Sequence, residues 1–343
     1  METTIVTNRP INNNLGSMTL QKLHTVLKDR ESKELPDKVI PMSELRVDDD
    51  LNIVVPGDGS YQMNSWARSQ LNSLLGLKFD RWFENTSLEE KAFELNRRFA
   101  RATNSIKLRA TSDFSSANPY IRSDGVIQAF VSPNFSVIPD SLVCELLLYK
   151  ECHDIISASI TEKTVSFQLK ITEFDNPKSQ SVGKLYGALS ITNSNTGYAS
   201  LTLDCHLYRL LCSNGMSTAI DGANLLKRKH CGSAAEDTMY SLLTSMRDIK
   251  DRLQMSVDTL NNSQNYKVAD IENDIATIIR QARLSRKLAP TFIEAWHKEP
   301  METVFGITNA ITDSETHKLL ELQPEERRQL QDAAADYMAK HVY

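Results

Sequence analysis

Arg97, Arg98 and Arg101 stand on adjoining turns of one amphipathic stretch, and Lys107 and Arg109 follow two residues apart in the next. Residues two apart in a strand share a face, so the last two cations point the same way. Phe99, Phe114 and Tyr120 are interleaved with them. Cations of this density take phosphates and rings of this kind stack on bases, which is the chemistry of a groove that tracks a single strand. From Lys91 to Arg122 there are seven Lys/Arg against two acids. Lys227, Arg228 and Lys229 make a second cluster, and Arg280, Arg283 and Arg286 recur every third residue beside Lys287. The acid collects at the ends: residues 1–56 carry nine acidic and seven basic side chains, and residues 299–343 nine and four. The net charge of −5, from 39 Lys+Arg against 44 Asp+Glu, therefore excludes a uniformly basic coat but not a basic groove.

Other chemistries lack their parts. No G-x-G-x-x-G, H-E-x-x-H or G-x-S-x-G occurs, and Gly183-Lys184-Leu185 has neither the upstream glycine nor the hydroxyl of a phosphate loop. The 12 glycines among 343 residues are about half of ordinary usage, which leaves few positions for such loops. Asp48-x-Asp50-x-Asn52 begins like a calcium loop, but Ile53 stands where the turn needs glycine. Cys205, Cys212, His230 and Cys231 are the residue types of a zinc site without the paired spacing that orients two thiolates. Glu31-x-Lys33, Glu89-x-Lys91 and Asp248-x-Lys250 have the local spacing of a metal nuclease but not its strand context. No metal, cofactor or catalytic residue is assigned. Five sparse cysteines, no apolar run able to span a bilayer and no signal-like N-terminus point to a cytoplasmic protein without a membrane segment.

The elements that must position these residues follow from periodicity. Residues 1–60 read as an irregular lead-in punctuated by Pro36, Pro41 and Asp48–Asp50, with one short helix at Thr19–Lys28. A helix carries Trp66, Leu71, Leu74 and Leu75. A second begins after Ser87, with Glu90 completing a capping box, and directs Phe93, Leu95 and Phe99 inward. Thr164–Thr172 and Tyr198–Leu211 alternate apolar and polar residues, the mark of half-buried strands, and a helix at Ser141–Tyr149 interrupts them. Beyond Gly232 the apolar spacing is helical: Ala234–Asn261, Val268–Leu288, Pro290–His297, Met301–Ile311 and Pro324–His341. The expected architecture is α+β, a central, mainly antiparallel sheet with flanking helices and a helical C-terminal third. Its expected divisions are 1–60, an α+β core at 61–232, and a helical region at 233–343.

Ser194-Asn195-Thr196-Gly197-Tyr198-Ala199-Ser200-Leu201, followed by Arg209-Leu210-Leu211-Cys212-Ser213-Asn214-Gly215-Met216, resembles the signature of the phage/plasmid-like proteins grouped as domain of unknown function 932. Gln70-Leu71, Leu108-Arg109-Ala110-Thr111-Ser112, and Asn309-Ala310-Ile311-Thr312 with His317 resemble further elements of that family in the same order. Asn195 departs from it, standing where the family carries glutamate. The resemblance implies one α+β fold over roughly residues 65–320 and a mobile-element setting, with no chemistry to carry over. Arg209, on the apolar face of its strand, is expected either to pair with a carboxylate or to reach a ligand, with Asn214-Gly215 turning the chain after it.

The reading that follows is a non-enzymatic DNA-binding protein of phage or plasmid type, a single-stranded DNA binding or annealing factor working as a homo-oligomer. Arg97, Arg98, Arg101, Lys107 and Arg109 would hold phosphates, with Lys227, Arg228 and Lys229 as an auxiliary clamp. Two alternatives stand beside it. One is an assembly protein that docks partners through the helical third; the other is a metal-dependent nucleic-acid enzyme.

Overall fold

The Thr19 hydroxyl accepts a hydrogen bond from the Lys22 backbone N–H (3.3 Å), capping the helix α1 (Leu20–Ser32), whose Leu20, Leu23 and Leu27 form one buried stripe. The computed structural model describes residues 19–77, 81–149, 154–174, 185–209, 216–232, 234–247, 249–322 and 324–342. Far from an irregular lead-in, the segment after α1 forms β1 (Lys38–Pro41), β2 (Arg46–Val47), β3 (Ile53–Val55) and β4 (Gly59–Met63). These strands are two to five residues long, too short for alternation to stand out. The acidic run between them is structural: the Asp48 carboxylate accepts from Asp50 N, Asn52 N, Asn52 Nδ2 and Ser60 Oγ at 2.8–3.2 Å.

Asn64 caps α2 (Ser65–Leu74), accepting from Ala67 N at 2.8 Å, and α3 (Arg81–Asn85) leads into α4 (Leu88–Phe99). The capping box of Ser87 and Glu90 forms as its residues demand. Ala92, Leu95 and Phe99 are the apolar residues that α4 buries. Phe93, expected to point inward, is 70% exposed, because it lies about 200° around the helix from Leu95.

With β5 (Ser105–Thr111) and β6 (Gly125–Val131), the first four strands complete a six-stranded sheet in the order β1-β5-β6-β4-β3-β2. Every neighbouring pair is antiparallel except β4–β6, which is parallel. Ile106 and Leu108 of β5 enter one core with Leu71, Leu95 and Phe99. Lys107 and Arg109 alternate to the opposite face, beside Val131 and Ala129 of β6.

After α5 (Asp140–Tyr149), the strands β7 (Asp154–Ile160), β8 (Val165–Phe174), β9 (Leu185–Asn193), β10 (Leu201–Arg209) and β11 (Met216–Arg228) form a second sheet in the order β11-β10-β9-β8-β7. The alternating residues Val165, Phe167, Leu169, Leu201, Leu203, Cys205 and Leu207 are buried as expected. Thr202 and Asp204 are buried too, so the start of β10 is covered on both faces. The α+β class stands, with two sheets where one central sheet was expected.

The helical third comprises α6 (Ala234–Ser245), α7 (Ile249–Ser263), α8 (Ile271–Gln281), α9 (Ala289–Lys298), α10 (Val304–Thr312), α11 (Ser314–Leu319) and α12 (Pro324–Val342). The single helix expected at 234–261 is two. Its apolar positions Leu253, Val257 and Leu260, with Ile275, Ile278 and Ile279 of α8, are buried where α7 and α8 meet α10 and α12. Leu253 and Val257 of the expected apolar stripe are therefore packed within unit 2.

The chain divides into two compact units. Unit 1 is Met1–Phe167, Thr192–Leu201 and Lys227–Tyr240; unit 2 is Gln168–Ile191, Thr202–Leu226 and Ser241–Tyr343. The expected boundaries at 60/61 and 232/233 do not coincide with this division. Among the described residues no helix is long and apolar enough to cross a membrane.

Candidate functional site

The five cations of the expected groove do not line one surface. Arg97 and Arg98 close on Glu94: Arg97 Nε and Nη2 and Arg98 Nε each donate to its carboxylate at 2.7 Å. Arg98 also reaches the Leu75 carbonyl. The hydrogen bond from Arg97, then the one from Arg98, hold the Glu94 carboxyl down at about 2. Arg101 is exposed. Lys107 and Arg109 lie across the sheet from α4. Lys107 Nζ donates to the Phe135 carbonyl at 2.5 Å. Arg109 is 5% exposed, with Nη2 on Glu34 (2.6 Å), Nε on Asp37 (3.0 Å) and Nη1 on the Asn195 carbonyl. Lys227 and Lys229 are exposed, while Arg228 pairs with Asp237. Arg209 ends β10, and Asn214 lies outside the described residues.

What does converge in unit 1 is a set of residues far apart in sequence, gathered on the loop Ser194–Tyr198. Its Asn195 carbonyl takes the Arg109 guanidinium. Its Thr196 carbonyl accepts from both Trp66 Nε1 (3.1 Å) and Gln70 Nε2 (3.0 Å). The other end of the Gln70 amide accepts from Phe130 N (3.0 Å), an edge N–H that β4 is too short to pair. The Ser194 and Thr196 hydroxyls donate to the Lys163 carbonyl at 2.6 and 3.0 Å. Gly197 holds φ +75°, and a Cβ there would lie 2.9 Å from Val131 Cγ1, so glycine is required twice over.

Beneath the loop, Asp140 at the start of α5 accepts from Asn193 Nδ2 (2.7 Å) and Asn195 Nδ2 (3.1 Å). Burial raises this carboxyl to about 6, against the Asn193 bond, which lowers it. Asn195, in the position of the family's glutamate, thus supplies an amide donor to a buried carboxylate that a second carboxylate would repel.

At its outer end the loop presents chemistry. Tyr198 is 54% exposed and meets Trp66 edge to face, with ring centroids 5.2 Å apart and planes at 81°. The exposed Lys163 sets its Nζ 5.2 Å from the Trp66 centroid and 5.4 Å from that of Tyr198. Close by in the fold, Phe135 packs 3.7 Å from the Cβ position at Gly197 and stacks on His230, with centroids 4.9 Å apart. His230 leads directly from Lys229, and burial pushes its imidazole below the ordinary range. Trp66, Lys163 and Asp140 carried no signal as functional residues. Their contacts are with backbone carbonyls, rings and amides, which leave no spacing to read.

The other motifs are architectural. In unit 2, His317 Nε2 lies 2.7 Å from the Ile311 carbonyl and its ring meets Phe292 edge to face, while Asn309 Nδ2 donates to Glu299 (3.0 Å). Cys205 is buried, Cys231 exposed, and Cys212 outside the described residues. Among the described residues no three His, Cys, Asp or Glu side chains are grouped to hold a metal. Glu31 caps α5, accepting from Ser141 N (2.9 Å) and Ser141 Oγ. Glu34 and Asp37 converge on Arg109 as its counterions.

The model of the family described as Domain of unknown function (DUF932) matches residues 129–337. That span takes in Asp140, Lys163, the Ser194–Tyr198 loop and His317; Trp66, Gln70 and Arg109, which brace the loop, precede it. No curated protein and no solved structure matches the chain. With more than half of its length matched, the chain belongs to the DUF932 family.

Proposed function

We propose that the protein is a non-enzymatic DNA-binding protein that holds single strands at the outer end of the Ser194–Tyr198 loop. One observation carries the reading: the exposed Tyr198 ring of the loop, Trp66 of α2 and the exposed Lys163 meet at a loop that α2, β5 and the Lys163 carbonyl brace. Tyr198 offers a face to an unpaired base, and Lys163 offers a charge to the adjoining phosphate. Lys227 and Lys229 extend the positive charge along the strand toward His230. The groove first expected at Arg97–Arg109 is replaced in this reading, because three of its five members are already paired. A cytoplasmic, phage- or plasmid-related setting and a homo-oligomeric state belong to the same proposal.

The test is anisotropy of a labelled oligothymidine at low salt. Wild type binds, and the double variant Tyr198→Ala/Lys163→Ala loses affinity by about 1–3 kcal/mol from the stacked base alone. Unchanged binding by a variant with wild-type circular dichroism would reject the site. Light scattering on the same samples reports the oligomeric state.

A further inference from the structure

Unit 2 carries a run of four cations with no acidic partner among the described residues. Arg280, Arg283, Arg286 and Lys287 fall within eight residues, and no acid occurs from 275 to 293. All four are exposed, and none is in an ion pair among the described residues. They do not share one helix face, as their spacing suggests. Arg280 stands in the last turn of α8; Arg283 lies in the turn; Arg286 and Lys287 lie in the one-turn 3-10 helix Arg286–Leu288 that leads into α9.

The local structure explains Arg280 but not the others. A cation in the last turn of a helix complements its dipole. Arg283, however, holds φ +59° in the position that follows the α8 cap, where glycine is the ordinary occupant. The turn is closed by Leu284 N on the Ile279 carbonyl (3.1 Å), a bond that needs no side chain at 283. Arg286 and Lys287 precede the N-terminus of α9, whose first turn has no acid and whose cap residue Leu288 makes no side-chain bond. A helix dipole there adds to their field instead of offsetting it. Fold stability accounts for one of the four charges.

The surroundings name the ligand class. None of the exposed large hydrophobic side chains among the described residues falls between Tyr266 and Leu319, so the segment that carries the four cations itself supplies no exposed ring to stack a base and no apolar anchor for a lipid surface. We infer that Arg280, Arg283, Arg286 and Lys287 form a second nucleic-acid site, one that grips the phosphate backbone and does not distinguish single strands from duplex. It rests on the proposed function for its class of ligand, and differs from the Tyr198 site in lacking any contact for bases.

The full chain is titrated with a labelled oligothymidine and with a labelled duplex over a range of salt. The variants are Arg283→Gln/Arg286→Gln/Lys287→Gln and Tyr198→Ala/Lys163→Ala. The triple variant is expected to bind both probes about tenfold or more weakly at low salt. Its plot of log affinity against log salt should flatten by about 2 units on the single strand and about 3 on duplex. The Tyr198 double variant should weaken the single strand and leave duplex affinity unchanged. A triple variant with wild-type affinity and slope on both probes overturns the inference, as does binding of wild type to phosphatidylserine vesicles but to neither oligonucleotide. Loss in the triple variant with no loss in the double variant would keep this site and reject the Tyr198 site. Arg283→Gly separates binding from folding, since glycine relaxes the left-handed backbone: its melting temperature should not fall while its duplex affinity does.

Discussion

Arg97 and Arg98 on α4 and Arg109 on β5 are the same residue type within 13 positions, yet they do opposite things. The helical pair shares the buried carboxylate of Glu94 from outside, with arginine side chains 43% and 32% exposed. Arg109 is sunk behind the sheet, where two carboxylates and a loop carbonyl engage each of its three nitrogens. The difference lies in where the elements point them. A helix end lets long side chains run along the surface to water, whereas a strand sends alternate residues straight into whatever covers its second face. Charge density in a sequence therefore does not measure charge at a surface.

That contrast has a size. Arg109→Ala should cost about 3–5 kcal/mol in urea unfolding, since it leaves Glu34, Asp37 and the Asn195 carbonyl facing a gap, and Arg109→Lys should not rescue it because one ammonium cannot meet three diverging acceptors. Arg97→Ala or Arg98→Ala should cost under about 1 kcal/mol by the same measurement. Equal losses at 98 and 109 would erase the distinction. Next in size, Gly197→Ala should cost about 2 kcal/mol, from the positive φ together with the Val131 contact.

The two regions also answer pH with opposite signs. Asp140 has a folded value of about 6, above that of an unfolded aspartate, so the folded state binds its proton more tightly. Its contribution rises as pH falls from above 6 toward about 4, by an amount on the order of 2 kcal/mol. Glu94, at about 2, lies below its unfolded value. Its contribution is complete above about pH 4.5 and is lost as pH falls toward 2, and exposure of its arginine partners keeps it to about 1 kcal/mol or less. Melting curves of wild type and Asp140→Asn should converge or cross between pH 7 and 5, while those of wild type and Glu94→Gln should stay parallel there and merge only near pH 3. Parallel curves for Asp140→Asn across that range would show that its proton does not bear on folding.

Much of the scaffold was legible in the residues. The Ser87–Glu90 box and the alternation of Val165, Phe167 and Leu169 were read directly, because each signal is local. The strands between Lys38 and Met63 were not: β1 and β4 are built by pairing with β5 and β6, over 60 residues away, and β2 and β3 are only two and three residues long. The site was half legible. Gln70, Arg109 and the Ser194–Tyr198 loop stood out through family resemblance, but their meeting did not. Arg109 looked like a surface cation because its counterions arrive from residues 34 and 37 through the tertiary fold.

The loop is gripped largely by its main chain: the carbonyls of residues 195 and 196 take the guanidinium, the indole and the amide, while the half-exposed ring at 198 takes no part in these bonds. Such an arrangement works like a tool holder. The bit can be exchanged without disturbing the clamp, so position 198 is where relatives of this protein can diversify what they touch, and where an engineer can graft a new contact onto an unchanged frame.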